Sequence, residues 1–162
     1  MKENSKLSKY ASIFEDVQAS DIMSPKVVAL TADKKIAHAK EMMKLKKISG
    51  IPVIDEGKKL VGIISIEDII NALELNRINE PIRNIMSQKV VAIGLSETLS
   101  EIVDKFENFK FGRFPVVDEE NRIRGIISKE DILHGIIEKF NLIYIHDKKR
   151  TATLNTESSI IT

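Results

Sequence analysis

The sequence predicts an α/β (α+β) protein built from two tandem repeats, each with the element order β-α-β-β-α. Three pairs of segments match: GIISIEDII (62–70) with GIISKEDIL (125–133), DIMSPKVVAL (21–30) with NIMSQKVVAI (84–93), and IPVID (51–55) with FPVVD (114–118). Matched residues of all three pairs are separated along the chain by the same number of positions, the difference between 62 and 125. We call this constant separation the repeat offset. Because this offset is constant, no insertion or deletion separates the copies. The chain therefore contains an internal duplication.

The strands of each copy are predicted from β-branched runs. VVAL and VVAI predict the first strand, PVID and PVVD the second, and LVGIIS and IRGIIS the third. The polar stretches EGKK and EENR predict the turns between the second and third strands. A second helix is expected to begin near Glu67 in one copy and near Glu130 in the other.

The first helix of each copy is predicted from apolar residues that recur on one helical face. These residues are Ile36, Ala39 and Met43 in the first copy and Leu99, Ile102, Val103 and Phe106 in the second. Ser96 is the predicted N-cap in the second copy, and Asp33 or Thr31 in the first.

The predicted organisation is a lead-in at 1–20, repeats at 21–80 and 81–140, and a C-terminal segment at 141–162. About 50 residues rarely sustain a core, so the repeats are expected to pack on each other with pseudo-twofold symmetry. Residues 5–19 predict an amphipathic helix with Tyr10, Ile13, Phe14 and Val17 inward. Residues 141–146 predict a strand, followed by a flexible linker or tail.

The second copy has more apolar helical surface than one sheet covers. The residues concerned are Ile132, Leu133, Ile136, Ile137 and Phe140. We expect this surplus to form a homodimer interface.

Composition excludes several classes of function. The 25 basic and 24 acidic residues give a net charge of +1, which gives no bulk attraction to nucleic acid or anionic membranes. The chain has no cysteine, no apolar run near the ~20 residues of a membrane span, and no signal-peptide pattern, so a cytoplasmic location is expected. The run Lys44, Lys46 and Lys47 is interpreted as a solvated helix face.

The sequence shows no catalytic or metal-binding constellation. His38, His134 and His146 lack metal-ligand spacing, and no Walker-type loop, nucleophile elbow or facing acid pair is present. No enzymatic activity, metal or cofactor is therefore predicted.

The repeated strand-to-helix junction is open to two interpretations. In Ser65-x-x-Asp68 and Ser128-x-x-Asp131, the serine suits an N-cap and the aspartate an N3 position, as in a capping box. The same helix N-terminus also offers N–H groups to an anion. A cap is the structural interpretation, and a ligand site is the functional one.

The order IMS…VV, helix, (S/G)x(I/F)PV(I/V)D and GIISxxD resembles a cystathionine-β-synthase-type (CBS) domain, present here as a pair over roughly residues 20–138. The resemblance implies a non-catalytic regulatory module. Such pairs typically bind AMP, ADP, ATP, S-adenosylmethionine or cyclic dinucleotides in clefts between the copies, and report to an attached or partner protein.

The resemblance also implies two sets of ligand-binding residues. The first cleft would use Ser24, Val28, Ile48, Ser49, Ile51, Ser128 and Asp131, and the second Ser65, Asp68, Ser87, Val91, Gly112, Arg113 and Phe114. Asp68 and Asp131 would accept hydrogen bonds from ribose hydroxyls, and Arg113 would hold phosphate. Lys47 and Lys129 are weaker phosphate candidates.

The two clefts are expected to differ in what they bind. Gly50 stands where the second copy has Arg113, and Ile66 stands where it has Lys129. Arg113 favours phosphate binding on the Asp68 side. The alternative is a structural or dimerisation module whose clefts are vestigial.

Overall fold

The computed structural model describes residues 10–158, so the first nine residues of the predicted lead-in and the last four of the predicted tail lie outside it. The elements are α1 (Ile13–Asp16), α2 (Ala19–Ile22), β1 (Leu30–Thr31), α3 (Ile36–Lys46), β2 (Gly50–Ile54), β3 (Leu60–Ser65), α4 (Ile66–Glu74), a 3₁₀ turn (Ile82–Asn84), β4 (Ile93–Gly94), α5 (Leu99–Phe109), β5 (Arg113–Val117), β6 (Ile123–Ser128) and α6 (Lys129–Ser158). The predicted mixed class and the β-α-β-β-α order of both copies are confirmed.

The chain divides into two compact units. We call Met23–Leu95 with Arg113–Ile127 the larger unit, and Met1–Ile22 with Ser96–Gly112 and Ser128–Thr162 the helical unit. The larger unit contains α3, α4 and nearly all strand residues. The helical unit contains α1, α2, α5 and α6.

Each copy forms a three-stranded sheet, in the order β1-β2-β3 and β4-β5-β6. The first strand is parallel to the second in both, with Leu30 opposite Val53 and Ile93 opposite Val116. These first strands are shorter than VVAL and VVAI predict. The β-branched run favours an extended backbone, but only its last residue lies beside a neighbouring strand, and Val28 packs against the core instead.

The core of the larger unit lies between the β1-β2-β3 sheet and helices α3 and α4. Its buried residues are Leu30, Ile36, Ala39, Met43, Ile51, Val53, Ile64, Ile69, Ala72 and Ile82. The predicted inward face of α3 is therefore confirmed. On α4, Ile69 and Ala72 are buried three residues apart, as expected for an amphipathic helix.

Within the larger unit the two copies exchange backbone hydrogen bonds. Ile63 and Ser87 exchange two bonds of 2.9 Å, and Ser24 and Ile126 exchange two more of 2.9 Å. The repeat offset relates these two pairings. Each copy's IMS segment is thus hydrogen-bonded to the GIIS strand of the other copy.

A glycine next to each of these strand pairings allows the backbones to approach closely. A Cβ on Gly62 would lie 2.8 Å from Met86 Sδ and 3.0 Å from the Ser87 carbonyl oxygen. On Gly125 it would lie 2.6 Å from Met23 Sδ and 2.9 Å from the carbonyl oxygen of Ser24. The backbone contact lies just under 3.0 Å at Gly125 and at 3.0 Å at Gly62, so a Cβ at either position would force a neighbour to move and glycine is favoured at both, most strongly at Gly125.

The predicted caps of the first helices are wrong. Thr98, not Ser96, caps α5, in a capping box with Glu101. Helix α3 has Lys35 at its N-cap and no side-chain cap bond, rather than Asp33 or Thr31. Its first donors bond to carbonyl oxygens of Ile78 and Glu80, at the end of the first repeat, so no side-chain cap is needed for them.

The chain around Glu80, at the end of the first repeat, is itself held in place by hydrogen bonds. The N–H of Ile36 donates to the Glu80 carbonyl oxygen at 2.9 Å. Hydrogen bonds from the Arg77 and Asn84 side chains lower the pKa of the Glu80 carboxyl group to about 2. In the helical unit, Leu99 N–H donates to the Val17 carbonyl oxygen at 2.8 Å, which is the same contact moved by the repeat offset. The structural repeat therefore includes the segment before each copy.

The strand predicted at 141–146 is wrong, because α6 continues through it to Ser158. Ile132, Ile136 and Ile143 recur on one helical face and pack against Ile13, Val17 and Leu99 in the helical unit. No glycine or proline follows Gly135 to end the helix. The segment predicted as a flexible tail is therefore helical as far as the structure describes it.

Within the described residues, the helix predicted at 5–19 is not continuous: α1 ends at Asp16, and α2 begins only at Ala19. The chain is extended at Val17, where Gln18 forms a bridge with Thr98. Ile13 and Val17 are buried as predicted, but Phe14 is 38% exposed. Tyr10 stacks on Phe140 with ring centroids 4.8 Å apart, so this segment covers part of the apolar surface of α6.

Candidate ligand-binding site

Each unit has an open pocket, and the two pockets lie at equivalent positions of the repeat. The first, which we call the basic pocket, has a volume of about 560 Å³ and is lined by Lys40, Met43, Lys44, Lys47, Ile48, Ser49, Ile66, Ile69 and Arg113. The second, the mixed pocket, has about 510 Å³ and is lined by Val103, Phe106, Glu107, Lys110, Lys129 and Ile132. The repeat offset relates every residue of the mixed pocket to a residue of the basic pocket.

Local geometry explains how the basic pocket forms. Lys40, Met43 and Lys44 are three and four residues apart on α3, so they share one face. The first turn of α4 contributes Ile66 and Ile69. The Ile66 N–H donates to the Ser49 carbonyl oxygen at 2.9 Å, which connects the loop after α3 to the start of α4.

The basic pocket combines positive charge with an apolar surface. Lys40, Lys44, Lys47 and Arg113 line it, and none of its described lining residues is a carboxylate. Lys40 Nζ lies 3.3 Å from Glu41, but both side chains are largely exposed, so this ion pair is weak. Such a lining suits a ligand that carries both an anionic part and a flat apolar part.

The mixed pocket has a different charge. Its two lysines, Lys110 and Lys129, accompany the carboxylate of Glu107, and Phe106 enlarges the apolar part. Glu107 occupies the position of Lys44, and Val103 that of Lys40. The two pockets therefore differ in charge, and the predicted difference in what the two clefts bind stays a prediction.

Both Ser-x-x-Asp segments form the predicted capping boxes. Asp68 Oδ2 accepts from Ser65 N–H and Oγ at 2.8 Å each, and Asp68 N–H donates to Ser65 Oγ at 3.3 Å. Ser128 and Asp131 repeat this arrangement with 2.7, 2.8 and 3.3 Å. Both carboxylate bonds use Oδ2, so the cap does not need the second oxygen.

The structure distributes the predicted ligand residues between the two units. The larger unit contains Ser24, Val28, Ile48, Ser49, Ile51, Ser65, Asp68, Ser87, Val91, Arg113 and Phe114, whereas Gly112, Ser128 and Asp131 belong to the helical unit. The basic pocket brings Ile48 and Ser49 of the first predicted set together with Arg113 of the second. Asp68 lies in the first turn of α4, between the lining residues Ile66 and Ile69.

Several predicted ligand residues have structural roles in this conformation. Ile51 and Phe114 have no exposed surface, so only rearrangement would bring their side chains to a ligand. The backbones of Ser24 and Ser87 pair with the opposite copy's strand. Val28 packs against the core.

Sequence reasoning missed Lys40 and Lys44 as pocket residues. Lys44, Lys46 and Lys47 are all exposed, as the solvated interpretation predicts, but Lys44 and Lys47 also line the open basic pocket. Lys40 and Lys44 share one face of α3, but this spacing is the same on a helix face exposed to water and gave no signal for a pocket.

The fold and the two equivalent pockets define a tandem-repeat α+β module of the ligand-binding type. A family profile described as the CBS domain matches residues 19–75 and 82–138. The chain belongs to the CBS-domain family, as its repeated motifs predict.

Comparison with individual known proteins agrees with this family assignment. Inosine-5'-monophosphate dehydrogenase of Aquifex aeolicus is 31% identical over 134 residues, covering 80% of this chain and 27% of that protein. The crystal structure of the CBS domain pair of MJ0100, in complex with 5'-methylthioadenosine and S-adenosyl-L-methionine, is 30% identical, covers 73% of this chain and 94% of that chain, and has a TM-score of 0.63. The crystal structure of the cytosolic domain of the Mg²⁺ channel MgtE, in complex with ATP, is 27% identical and has a TM-score of 0.65. It covers 80% of this chain and 52% of that chain.

The chain spans only about a quarter of the dehydrogenase it matches. Within residues 10–158, no helix is long and apolar enough to cross a membrane. In the same described part of the chain, no cluster of three or more His, Asp or Glu side chains is placed to hold a metal ion.

Proposed function

We propose that this chain is a non-catalytic regulatory module that binds adenine nucleotides or related adenosyl ligands (AMP, ADP, ATP or S-adenosylmethionine). The observation that carries the proposal is the basic pocket, with four cations around an apolar surface. Two similar structures support the ligand class, since the MJ0100 pair was solved with S-adenosyl-L-methionine and the MgtE domain with ATP.

The chemistry of the residues suits such a ligand. Met43, Ile48, Ile66 and Ile69 offer apolar surface to a purine ring, which gains free energy from leaving water. Arg113 offers a planar fork of donors for phosphate oxygens. The Asp68 oxygen that the cap does not need can accept from a ribose hydroxyl.

The bound ligand would control an attached or partner effector. Support comes from the coverage of the relatives, in which the matching region is one part of a longer protein. We also propose a cytoplasmic location. The module is proposed to need no cofactor of its own, because its ligand is the regulatory signal.

Calorimetry against AMP, ADP, ATP, S-adenosylmethionine and cyclic di-AMP is expected to show binding below millimolar for at least one ligand. Asp68→Ala should weaken the binding of a ligand held in the basic pocket and Asp131→Ala that of one held beside the mixed pocket, and either should also cost about 1 kcal/mol of stability through loss of the cap. The matched control is Glu101→Ala, which removes the capping box of α5 outside the predicted clefts. It should lower stability similarly and leave affinity unchanged.

The alternative, a structural module with vestigial clefts, predicts a different outcome. No panel ligand would then bind below millimolar or raise the melting temperature. All three variants would lower stability only. That combination would contradict the proposed function.

We further propose that the module forms a homodimer through α6. Leu133 and Ile137 lie one turn apart on this helix and remain 56% and 48% exposed. Light scattering at micromolar concentration is expected to give twice the chain mass, and Leu133→Glu should shift it toward the monomer. A monomer mass for the unsubstituted chain would contradict this proposal.

A further inference from the structure

We infer that the basic pocket selects ligands with two or more linked phosphates, and that Lys40, Lys44 and Lys47 determine this specificity. The inference rests on the proposed function and names the ligand class of the same site. It follows from the row of charges on α3, the backbone conformation of Lys47, and the comparison with the mixed pocket.

The first observation is the length of the row of charges. Lys40 and Lys44 lie one turn apart, roughly 6 Å along a helix that rises about 1.5 Å per residue, and Lys47 extends the row at the C-cap of α3. A single phosphate group meets only part of such a row. A chain of two or three phosphates meets more of it, and Arg113 adds a fourth cation to the same pocket.

The second observation is the backbone at Lys47. This residue is the C-cap of α3 and is left-handed, with φ 53° and ψ 48°. Glycine is favoured there, because a side chain in this conformation costs about 1–2 kcal/mol. Lys110, at the same position of the mixed pocket, is left-handed too, with φ 51°. Both copies thus have a pocket lysine where glycine would be more stable, as expected where function opposes stability.

A second pair of equivalent positions provides a comparison. Lys58 and Asn121 are also left-handed and also related by the repeat offset, but they lie in the turns and line neither pocket. There the two copies differ in residue type. At the pocket positions both copies have lysine, whereas at the turn positions only the first copy has it.

The third observation is the mixed pocket, which has the same framework without the row. Val103 replaces Lys40 and Glu107 replaces Lys44. A polyphosphate at this position would meet a carboxylate instead of an ammonium group. Of the two pockets described, the basic pocket alone is therefore expected to bind such a ligand.

Calorimetric titration with ATP, ADP and AMP, in EDTA at fixed low salt, tests the inference. ATP is expected to bind at least about tenfold more tightly than AMP, with ADP between them, because each further phosphate meets further cations. Lys40→Gln combined with Lys44→Gln should weaken ATP binding about 5- to 20-fold and AMP binding by less than about twofold.

Lys46→Gln is the matched control. It removes the same charge from the same helix, two residues from Lys44, at a position that does not line the pocket. ATP affinity should stay within about twofold of the unsubstituted chain. An equal loss in this variant would mean a general charge effect and would overturn the inference.

The remaining outcomes separate this inference from the proposed function. If AMP or S-adenosylmethionine binds as tightly as ATP and the double variant changes nothing, the phosphate selectivity is wrong and the proposed function stands. Tripolyphosphate is titrated alone as the second probe. Tripolyphosphate binding that the double variant loses, with no adenosine ligand bound, supports the selectivity and contradicts the proposed function. No binding by any probe overturns both.

Discussion

Phe114→Ala is expected to destabilise the fold by about 3–5 kcal/mol, the range measured for removing a large aromatic side chain from a core. Phe114 lies in β5 and is the largest of the fully buried side chains. A domain of this size has only about 5–15 kcal/mol of stability in total, so the variant should be largely or partly unfolded. Urea denaturation followed by circular dichroism measures the loss.

Phe111→Ala is the control for this prediction. Phe111 is the same residue type three positions earlier, but it is 51% exposed and its substitution should cost less than about 1 kcal/mol. The comparison also tests the predicted ligand role of Phe114. If Phe114→Ala remained as stable as the control and lost only ligand binding, Phe114 would contact the ligand rather than fill the core.

The internal duplication is the part of the fold that the sequence predicts best. A single spacing determines which segments are equivalent, and the structure repeats that spacing in the strand registers and in the pairing of Ser24 and Ser87. The capping boxes were also predictable, because all of their atoms lie within four consecutive residues. Such local features depend little on the remainder of the chain.

Apart from the cap of α5, where the local Thr98–Glu101 box was missed, the errors concern features that depend on distant parts of the chain. Helix α3 needs no side-chain cap at its start, since the carbonyl oxygen of Glu80, at the far end of the first repeat, accepts the N–H of Ile36. Residues 141–146 have the β-branched and aromatic composition of a strand, but Ile143 packs in the same cluster as Ile132 and Ile136 and continues the helix. Neither contact is visible in a local sequence window.

The candidate site was predictable only in part for a similar reason. Arg113, Ile48 and Ser49 were found from the family pattern, and the structure places all three around the basic pocket. Lys40 and Lys44 were not found, because a row of lysines on a helix has the same spacing whether it faces water or a pocket. Only the position of α4 beside α3 distinguishes the two cases.

Gly62→Ala and Gly125→Ala are expected to destabilise the larger unit by about 1–3 kcal/mol each, as other overpacked sites do. The new methyl group would meet not only a flexible methionine but also the carbonyl oxygen of Ser87 or Ser24. Each of these carbonyls accepts a 2.9 Å hydrogen bond from the strand beside the glycine, so the backbone cannot move away without losing it. Gly125→Ala should cost more, because its contacts are shorter.

Gly112→Ala separates this effect from the general consequence of adding a methyl group. A Cβ there meets no atom within 4 Å, and its φ is not positive, so the change should be neutral or slightly stabilising.

Adding Met86→Ala to Gly62→Ala shows which contact is responsible. If the carbonyl contact dominates, the double variant recovers little stability beyond the cost of Met86→Ala alone. Full recovery would assign the effect to the methionine. A cost for Gly62→Ala of less than about 0.5 kcal/mol, the size of an ordinary surface substitution, would contradict the preference for glycine. Since both glycines lie where one copy's strand pairs with the other copy's IMS segment, their substitution tests how closely the two repeats are packed at this contact.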